Sequence, residues 1–557
     1  MSGVLVADFN TQNLAAVLRN SEEPPVVEVL ESAFGQVDQA LIDPGHPAWA
    51  SRPDFALIWT RPEAVLPTYR RAAAFESVDP GDLSREVARF VGHLLALRER
   101  VGTVIVPTWL APRGARGLGP LEMTHPLGLR RLVLEANVDL VRGLGGAPGV
   151  FVLDAEDWIR LPDEDVFSDR LFYLAKIPFT NPVFHHAAAD VKALLRSGMG
   201  SARKLIVLDL DDTLWGGLVG EDGWEGLRVG GHDPDGEAYA DFQGALKALT
   251  NRGVLLALAS KNQEAVALAA IERHPEMILR RDDFAAWRID WNDKAQNIAD
   301  IAAELNLGLD SVVFIDDSAA ERARVREALP DVFVPEWPRS PSRYARELRA
   351  LRCFDSQVLT EEDRSRATMY RARREQDEER ANIGSIEEWL RTLQTEVEVE
   401  RLDKASLGRA AQLLNKTNQM NLATRRLPEA GLWRWTEQPA HEFWTFRVSD
   451  RFGSHGLTGL LGVATDGETL DVVDFVMSCR VLGRNLERSM IAWAVGRARA
   501  VGCERIRAEL LTTDRNRPCL DFLNASGLRP EGGRVFVWEA SEDYAVPEGV
   551  SVVEPAD

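Results

Sequence analysis

The chain has 557 residues, which is too long for one ordinary domain and favours about three. Apolar residues make up 45% of it and charged residues 27%, the proportions of a globular protein. The formal net charge of −21 argues against general binding to nucleic acids or anionic membranes, although a local basic patch is still compatible with it.

The first residues and the cysteines favour a cytoplasmic protein. The start, MSGVLVADFN, lacks the basic and apolar regions of a signal peptide, and no apolar run reaches the ~20 residues of a membrane span. The cysteines show neither metal-like CxxC spacing nor a disulfide framework; they are Cys353, Cys479, Cys503 and Cys519.

Residues 1–200 alternate short apolar runs with longer amphipathic ones. The apolar runs have the length of buried strands and lie at 55–59, 104–107 and 149–154. Apolar residues recur at helical spacing in 82–100 and 129–144. This alternation predicts an α/β domain.

The same region is similar to SGNH-hydrolase folds. The serine nucleophile that this resemblance implies after the first strand is absent, because Val6-Ala7-Asp8-Phe9-Asn10 stands there. Asn137 and the pair His185-His186 are interpreted as structural or solvated residues. We therefore expect a non-hydrolytic domain that serves in docking or as a scaffold.

A buried strand followed by clustered acids begins at residue 205. The apolar run Leu205-Ile206-Val207-Leu208 predicts a strand buried on both faces, and Asp209-Leu210-Asp211-Asp212-Thr213 follows it. Ligand sites in parallel α/β sheets lie at the carboxyl ends of strands, so these acids are expected in the cleft. Clustered carboxylates repel unless a cation separates them, and a hard divalent cation, Mg²⁺, resolves that conflict.

Three further motifs follow in order. Ser260 closes a second apolar strand over 254–258, Lys294 begins a helix-like run, and Asp316-Asp317 ends a third strand over 312–315. With the first motif, they make residues 201–340 resemble the haloacid dehalogenase (HAD) superfamily, whose core is a Rossmann-like parallel sheet.

The HAD resemblance implies a role for each motif residue. Asp209 would be the nucleophile and Asp211 the general acid and base, while Ser260 and Lys294 would hold the phosphoryl oxygens. Asp316 would complete the Mg²⁺ site with Asp209 and the backbone carbonyl of Asp211, and Asp317 would lie behind these ligands.

Thr213 and Asn262, in the first and second motifs, are further candidates for substrate binding. The gaps between the motifs leave no room for a sizeable cap domain, and the Gly-rich residues 215–235 are expected to form a loop or small flap. An open site suits a macromolecular or protein-tethered substrate.

Residues 341–384 read as a charged helical connector, with a variant capping box at Thr360-Glu361-Glu362-Asp363. A third domain is expected over 385–545. It holds an amphipathic run at 386–393, a strand at 397–400, the amide-rich stretch 415–421 and strands at 443–448, 457–463 and 470–477. Three successive strands with short turns predict an antiparallel meander, followed by a helix over 486–500.

The turn between the last of these strands and the helix is Ser478-Cys479-Arg480-Val481-Leu482-Gly483-Arg484. It resembles the acyl-coenzyme-A loop of GNAT-type acyltransferases, although Asn485 stands where that family has its final loop glycine. Cys479 is the candidate acyl-carrying nucleophile, since Arg480 and a helix N-terminus lower a thiol pKa. Arg480, Arg484 and Asn418 are candidates for substrate binding, and Cys503 and Cys519 for small buried residues.

The HAD-like core followed by an acyltransferase-like α+β domain resembles the FkbH-like proteins. That resemblance implies a bifunctional glyceryl transferase and phosphatase of polyketide-type biosynthesis. Such a protein takes glyceryl from 1,3-bisphosphoglycerate, holds it on a cysteine, removes the phosphate and loads an acyl carrier protein. No nucleic acid or membrane partner is expected.

Other functions remain compatible with the sequence. One is a plain Mg²⁺-dependent phosphatase whose C-terminal domain only recognises a partner, and another is an acyltransferase for a different acyl unit. A purely structural docking protein is disfavoured because all four HAD-like motifs keep reactive residues. Carrier proteins are usually acidic, so docking on a chain of charge −21 would need a local basic surface at Arg425-Arg426 or at Arg480 and Arg484.

Overall fold

The computed structural model describes residues 1–111, 116–161, 166–231, 233–357, 391–451, 453–478, 481–482, 484–513 and 515–553. These residues form two compact units, Met1–Arg196 and Ser197–Asp557. Among the described residues, no helix is both long enough and apolar enough to cross a membrane.

The first unit contains a five-stranded parallel sheet with the strand order β2-β1-β3-β4-β5. Its strands are β1 Ser2–Ala7, β2 Glu28–Glu31, β3 Phe55–Trp59, β4 Thr103–Pro107 and β5 Val150–Leu153. Its helices are α1 Gln12–Asn20, α2 Val37–Ile42, α3 Pro62–Val65, α4 Pro67–Ala73, α5 Pro80–Arg98, α6 Leu129–Leu144, α7 Ala155–Ile159, α8 Asp169–Ala175 and α9 Asn181–Gly198.

Strand and helix alternate in this unit because its strands are apolar on both faces. Separate hydrophobic clusters pack on the two faces of the sheet, one around Ile58 and Phe90 and the other around Trp59 and Phe184. The predicted α/β domain is therefore confirmed, and its strand order is that of doubly wound flavodoxin-like sheets. The finer likeness to SGNH hydrolases stays a prediction.

Asp8 follows β1 at the position where the resemblance to SGNH hydrolases implies a serine nucleophile. Its carboxylate accepts hydrogen bonds from the backbone N–H and the Nε of Arg61, at 2.8 and 2.7 Å. Asn137 is also engaged structurally, because its side chain bonds the backbone N–H and carbonyl of Trp109 at 2.8 and 2.9 Å. Asp8 and Asn137 thus make contacts within the fold, and the interpretation of a non-hydrolytic domain stays a prediction.

The second unit begins with a four-stranded parallel sheet of order β8-β7-β6-β9. Its strands are β6 Leu205–Leu208, β7 Leu255–Ser260, β8 Phe284–Ile289 and β9 Val312–Ile315. The accompanying helices are α10 Val219–Asp222, α11 Pro234–Thr250, α12 Glu264–Arg273, α13 Lys294–Glu304, α14 Ala319–Ala328 and α15 Tyr344–Arg349. Apolar clusters cover both faces, so the predicted Rossmann-like core is confirmed.

An eight-stranded mixed sheet of order β15-β16-β14-β13-β12-β11-β10-β17 completes the second unit. Its strands are β10 Thr395–Arg401, β11 His441–Asp450, β12 Gly453–Asp466, β13 Thr469–Met477, β14 Arg505–Glu509, β15 Arg529–Gly532, β16 Val535–Glu539 and β17 Val550–Val553. Its helices are α16 Leu407–Lys416, α17 Glu429–Thr436, α18 Leu486–Val501 and α19 Arg517–Ala525.

The predicted antiparallel meander is confirmed, because β10 to β13 pair in sequence with antiparallel registers. The helix predicted after it is α18. The parallel pairing of β13 with β14 makes the sheet mixed. The predicted connector helix and capping box lie outside the described residues, as does nearly all of the predicted helix at 386–393.

Candidate active site

The four HAD-like motifs meet at one edge of the parallel sheet. Asp209 directly follows β6, Ser260 ends β7, and Asp316 directly follows β9, so all three lie at the carboxyl ends of parallel strands. Leu210 is fully buried in the core, so the alternation predicted after β6 is seen. Lys294 begins α13 and reaches the same edge from the side of β8.

Lys294 lies between two buried carboxylates. Its Nζ is 2.9 Å from Oδ1 of Asp209 and 2.6 Å from Oδ2 of Asp316. Burial lowers the pKa of Lys294, but the two carboxylates outweigh burial and raise it overall. The ammonium group is therefore charged, and it is placed to bind anionic oxygen.

Burial raises the pKa of Asp209 to about 6, even though Lys294 opposes this effect and a hydrogen bond from Ser260 also lowers the value. The neighbouring Asp316 contributes to the increase, and its own pKa is raised by burial. A divalent cation at this position would favour both ionised forms.

Three carboxylates in the described part of the chain are close enough to share a metal ion. Ligand oxygens of Asp209, Asp316 and Asp317 all lie within 4.8 Å of one another. Three acids against the single charge of Lys294 leave excess negative charge, which suits a hard cation with oxygen ligands. The donor set therefore fits Mg²⁺. The sequence predicts that Asp317 lies behind the ligands, and its carboxylate lies close enough to those of Asp209 and Asp316 to be a ligand itself.

The carboxylate of Asp211 belongs to a separate hydrogen-bond network. Its Oδ1 accepts from Trp215 Nε1 at 2.8 Å and from the backbone N–H of Val219 at 3.1 Å. Its Oδ2 accepts from Asn262 Nδ2 at 3.0 Å, and this amide also contacts Ser260 Oγ at 3.2 Å. The carboxylate is thus oriented from two sides, and Asn262 aligns two predicted catalytic groups. The role predicted for the Asp211 carbonyl stays a prediction.

Contacts that sequence patterns do not reveal fix the loop after β9. The Thr213 hydroxyl is fully buried and accepts from the backbone N–H of Asp317 at 3.2 Å. Arg322 donates to the carbonyls of both Asp316 and Asp317 at 2.7 Å. The backbone N–H of Ser318 donates to Asp316 Oδ1 at 2.8 Å. Thr213 therefore positions the carboxylates in this structure; its predicted substrate contact stays a prediction.

The segment 215–235 forms a small flap, as expected. It contains α10 and a bridge between Gly216 and Arg228, and Trp215 anchors it in the core with no exposed surface. Within the described residues, the motifs are separated by strands and helices of the core, and no further sheet is inserted between them.

Only some of the site residues predicted in the C-terminal domain lie in the described part of the chain. Cys479 and Arg480 lie outside the described residues. Arg484 is 6% exposed and donates to buried Asp450, which also bonds His455 Nε2 at 2.8 Å. This burial places Arg484 in an internal ion cluster, and its predicted substrate contact stays a prediction. Asn418 accepts a hydrogen bond from Arg426 and lines a cavity within the second unit.

The other two cysteines of the C-terminal domain are buried, as predicted. Cys519 is fully buried, and burial raises its pKa to about 12. Burial also raises the pKa of Cys503, which is 5% exposed. Neither thiol is suited to form a thiolate nucleophile at neutral pH.

The docking surface proposed at Arg425 and Arg426 is largely engaged within the fold. Arg425 pairs with the fully buried Asp474. Arg426 donates to the carbonyl of Leu414 at 2.8 Å, near the end of α16. Their role in docking stays a prediction, and charge reversal at Arg425 would disturb the fold as well as any docking.

No protein-family profile matches the chain, and no curated protein matches it. Among solved structures, it is similar to the N-terminal part of the protein BF1531 from Bacteroides fragilis, which contains a phosphatase domain and was crystallised in complex with Mg. The two are 29% identical with a TM-score of 0.58, over 64% of this chain and 94% of that one. The expectations of a phosphatase component and of Mg²⁺ agree with this likeness.

Two acetyltransferases give much weaker structural likenesses. Spermidine N-acetyltransferase SpeG from Vibrio cholerae is 16% identical over 26% of this chain and 94% of that chain, with a TM-score of 0.21. A GNAT-family acetyltransferase from Staphylococcus aureus is 8% identical over 26% of this chain and 99% of that chain, also at 0.21. These scores are too low to carry an argument about the C-terminal sheet.

Proposed function

We propose that the chain is a Mg²⁺-dependent phosphatase of the HAD type joined to an acyltransferase. The observation that carries the phosphatase is the cluster of Asp209 and Asp316 around the Lys294 ammonium, with Asp317 beside it. A structural ion pair needs one carboxylate for one lysine, whereas this site has three.

The phosphatase reaction uses two carboxylates in turn. Asp209 attacks phosphorus through a carboxylate oxygen, the bond from phosphorus to the leaving oxygen breaks, and protonated Asp211 gives that oxygen its proton. Asp211 then takes a proton from water, which attacks phosphorus and releases inorganic phosphate and free Asp209.

Lys294 and Ser260 would donate to the phosphoryl oxygens and so offset charge in the transition state. The carboxylates of Asp209, Asp316 and Asp317 would hold Mg²⁺, which when bound supplies charge neutralisation to the transferred phosphoryl group. Trp215 and Asn262 orient the carboxylate of Asp211.

The substrate we propose is a phosphoglyceryl group tethered to an acyl carrier protein. Cys479 would attack the acyl phosphate of 1,3-bisphosphoglycerate, expel phosphate and carry the acyl group as a thioester before transfer to the carrier. The site at Asp209 supports a tethered substrate, because no cap domain is inserted between its motifs in the described part of the chain. The resemblance to FkbH-like proteins supports the glyceryl unit and the carrier.

Intact-protein mass spectrometry tests both halves. Wild type, Asp209→Asn and Cys479→Ala are incubated with 1,3-bisphosphoglycerate and Mg²⁺. We expect a phosphoglyceryl adduct on wild type and on Asp209→Asn and none on Cys479→Ala. When the carrier protein is then added, wild type should produce glyceryl carrier and Asp209→Asn should produce phosphoglyceryl carrier. No adduct on any of the three would contradict the acyltransferase half.

The phosphatase half is assayed separately by phosphate release from a small phosphate monoester. We expect Asp209→Asn to abolish this release and Cys479→Ala to preserve it. If wild type releases phosphate but never forms an adduct, the chain is a phosphatase whose C-terminal domain recognises a partner.

A further inference from the structure

A cavity of about 350 Å³ lies within the second unit, between the four-stranded parallel sheet and the eight-stranded mixed sheet. We call it the junction cavity. From the parallel-sheet side it is lined by Lys204 and by the segment 306–311. From the other side it is lined by the end of α16, the loop after it and Ser478 at the end of β13. Its volume is within the ~300–1,000 Å³ of small-molecule sites.

The junction cavity lies at the opposite edge of the parallel sheet from the candidate phosphatase site. Lys204 immediately precedes β6 and Ser311 immediately precedes β9, whereas Asp209 and Asp316 immediately follow these strands. The two sites are therefore distinct, and Asp209 takes no part in the junction cavity.

Positive charge predominates in the lining of the junction cavity. Four basic residues contribute to it: Lys204, Arg409, Lys416 and Arg515. The acidic contributors are Asp310 and Asp331. The basic contributors to the lining outnumber the acidic ones, in contrast with the net charge of −21 on the whole chain, so the lining suits an anion better than a cation.

The orientation of Asn418 adds a donor to this lining. Arg426 donates to Asn418 Oδ1, which assigns that atom as the acceptor of the amide and turns Nδ2 away from Arg426. Asn418 also lines the cavity, and its Nδ2 is a further hydrogen-bond donor of that side chain. Arg515 extends to the other wall, where its NH1 is 2.5 Å from Oδ2 of Asp310.

We propose that the junction cavity binds a small organic phosphate, held by Lys416 and Arg515 and by the amide of Asn418. Ser478, which lines the cavity, immediately precedes Cys479 in the sequence. The inference rests on the proposed function, because it gives the phosphorylated acyl donor a site on the acyltransferase half. It also gives the parallel-sheet domain a second role, since that domain supplies one wall.

Isothermal titration calorimetry with 3-phosphoglycerate tests this proposal. The full-length Asp209→Asn chain is titrated without Mg²⁺, so that binding at the phosphatase site is weakened. We expect one ligand per chain. Lys416→Ala and Arg515→Ala, each introduced into this background, should weaken binding by roughly tenfold or more, since each removes a charge-assisted hydrogen bond.

Two further variants separate binding from support of the fold. Arg517→Ala removes an arginine that is 86% exposed on its side chain and does not line the cavity, so it should leave the Kd unchanged. Asp310→Asn breaks the ion pair with Arg515 but also removes a negative charge, so it should tighten binding. If Asp310→Asn and Arg515→Ala weaken binding alike, the pair is structural and the proposal fails.

Absence of binding to the Asp209→Asn chain would also overturn the proposal, as would equal binding by all the variants. Thermal melting of each variant shows whether it is folded. Phosphate release by the wild-type chain tests the phosphatase independently, so a failure of the junction cavity is distinguishable from a failure of the proposed function.

Discussion

Lys294 lies in a cluster where the carboxylates outnumber the single ammonium group. Its ammonium group contacts Asp209 and Asp316, and a third carboxylate, Asp317, lies within 4.8 Å of both. Buried carboxylates of like charge repel, and burial itself disfavours ionisation. A stable fold does not need this arrangement, so the residues that destabilise the metal-free site are the ones expected to matter for binding a cation.

Replacing Asp317 with asparagine separates metal binding from stability. Asp317→Asn removes one negative charge from the cluster, so its melting temperature without Mg²⁺ should be no lower than that of wild type. The stabilisation by added Mg²⁺ should require at least about tenfold more metal, because a ligand is lost. Differential scanning fluorimetry over a Mg²⁺ titration measures both quantities.

The matched control is Asp521→Asn, which changes a carboxylate with 66% side-chain exposure on α19. It should reproduce the wild-type Mg²⁺ titration. An unchanged Mg²⁺ response of Asp317→Asn would mean that Asp317 is not a ligand and that it lies behind the Mg²⁺ ligands, as predicted from the sequence.

The residues at strand ends could be predicted from the sequence, since a run of apolar residues fixes where a parallel strand stops. That reasoning brought Asp209, Ser260 and Asp316 to one edge. It could not find Trp215 or Arg322, because their contacts depend on side-chain direction across the fold.

Arg484 shows the same limit in the C-terminal domain. The position of Arg484 in a turn before a helix predicts contact with a bound anion. Instead, Arg484 donates to the carboxylate of Asp450, which lies 34 residues earlier in the chain. Long-range pairs of this kind have no local signature in one sequence.

The flap over 215–235 acts on the site through its first residue. Trp215 is fully buried, yet its indole N–H reaches Oδ1 of Asp211, and the N–H of Val219 at the start of α10 reaches the same oxygen. The flap therefore positions the proposed general acid and does not cover the site as a cap would.

Replacing Trp215 with phenylalanine keeps an aromatic ring in the core but removes the donor to Asp211. We expect Trp215→Phe to lower kcat for a phosphate monoester about tenfold, the effect of losing one hydrogen bond to a charged group. KM should change little, because Trp215 does not contact the phosphoryl donors. Steady-state kinetics measure both. Trp224→Phe in the same flap is the control, and an equal loss of kcat there would contradict a specific role for Trp215.

The ion pair between Arg425 and Asp474 joins the loop after α16 to β13. Asp474 is fully buried, and Arg425 also lies over the ring of Trp435 at 4.8 Å. Burial raises the pKa of Asp474 in spite of Arg425, which shows how unfavourable its charged form would be without a partner.

Arg425→Ala should therefore destabilise the C-terminal sheet by about 3–5 kcal/mol, the cost of leaving a buried charge unpaired. Urea titration followed by circular dichroism measures the loss. The double variant Arg425→Ala/Asp474→Ala should be more stable than Arg425→Ala alone. Arg434→Ala, at an exposed position on α17, should change stability by no more than about 0.5 kcal/mol. A stable Arg425→Ala chain would leave this arginine open to the docking role considered from sequence.

Two elements with strong apolar patterns were predicted closely, and two strands without such patterns were missed. The run 205–208 and the helix over 129–144 have the predicted bounds. The strands β14 and β15 were not predicted, because RIRAE is largely charged and RPEG is exposed throughout. Their place in the sheet comes from pairing with β13 and β16, which local sequence does not encode.

The parallel sheet separates the two proposed sites, the phosphatase cluster and the junction cavity. Each of the strands β6 and β9 spans four residues, so the two edges are at least about 13 Å apart at 3.3 Å per residue. The phosphatase cluster lies at one edge and the junction cavity, with Ser478, at the other. An acyl donor bound in the junction cavity must therefore leave it before its phosphate can reach Asp209.

A carrier protein that moves freely would make this transfer possible between different chains. We predict that Asp209→Asn and Cys479→Ala, each unable alone to produce a dephosphorylated glyceryl carrier, restore that product when mixed. The Asp209→Asn chain would load phosphoglyceryl on the carrier, and the Cys479→Ala chain would remove the phosphate.

Mass spectrometry of the carrier protein, with 1,3-bisphosphoglycerate and Mg²⁺ present, measures the product. The control is the double variant Asp209→Asn/Cys479→Ala added to either single variant. If each single variant behaves as expected but the mixture stays inactive, the phosphate is removed before the acyl group leaves its own chain, and a carrier-bound phosphoglyceryl group is not the substrate of Asp209.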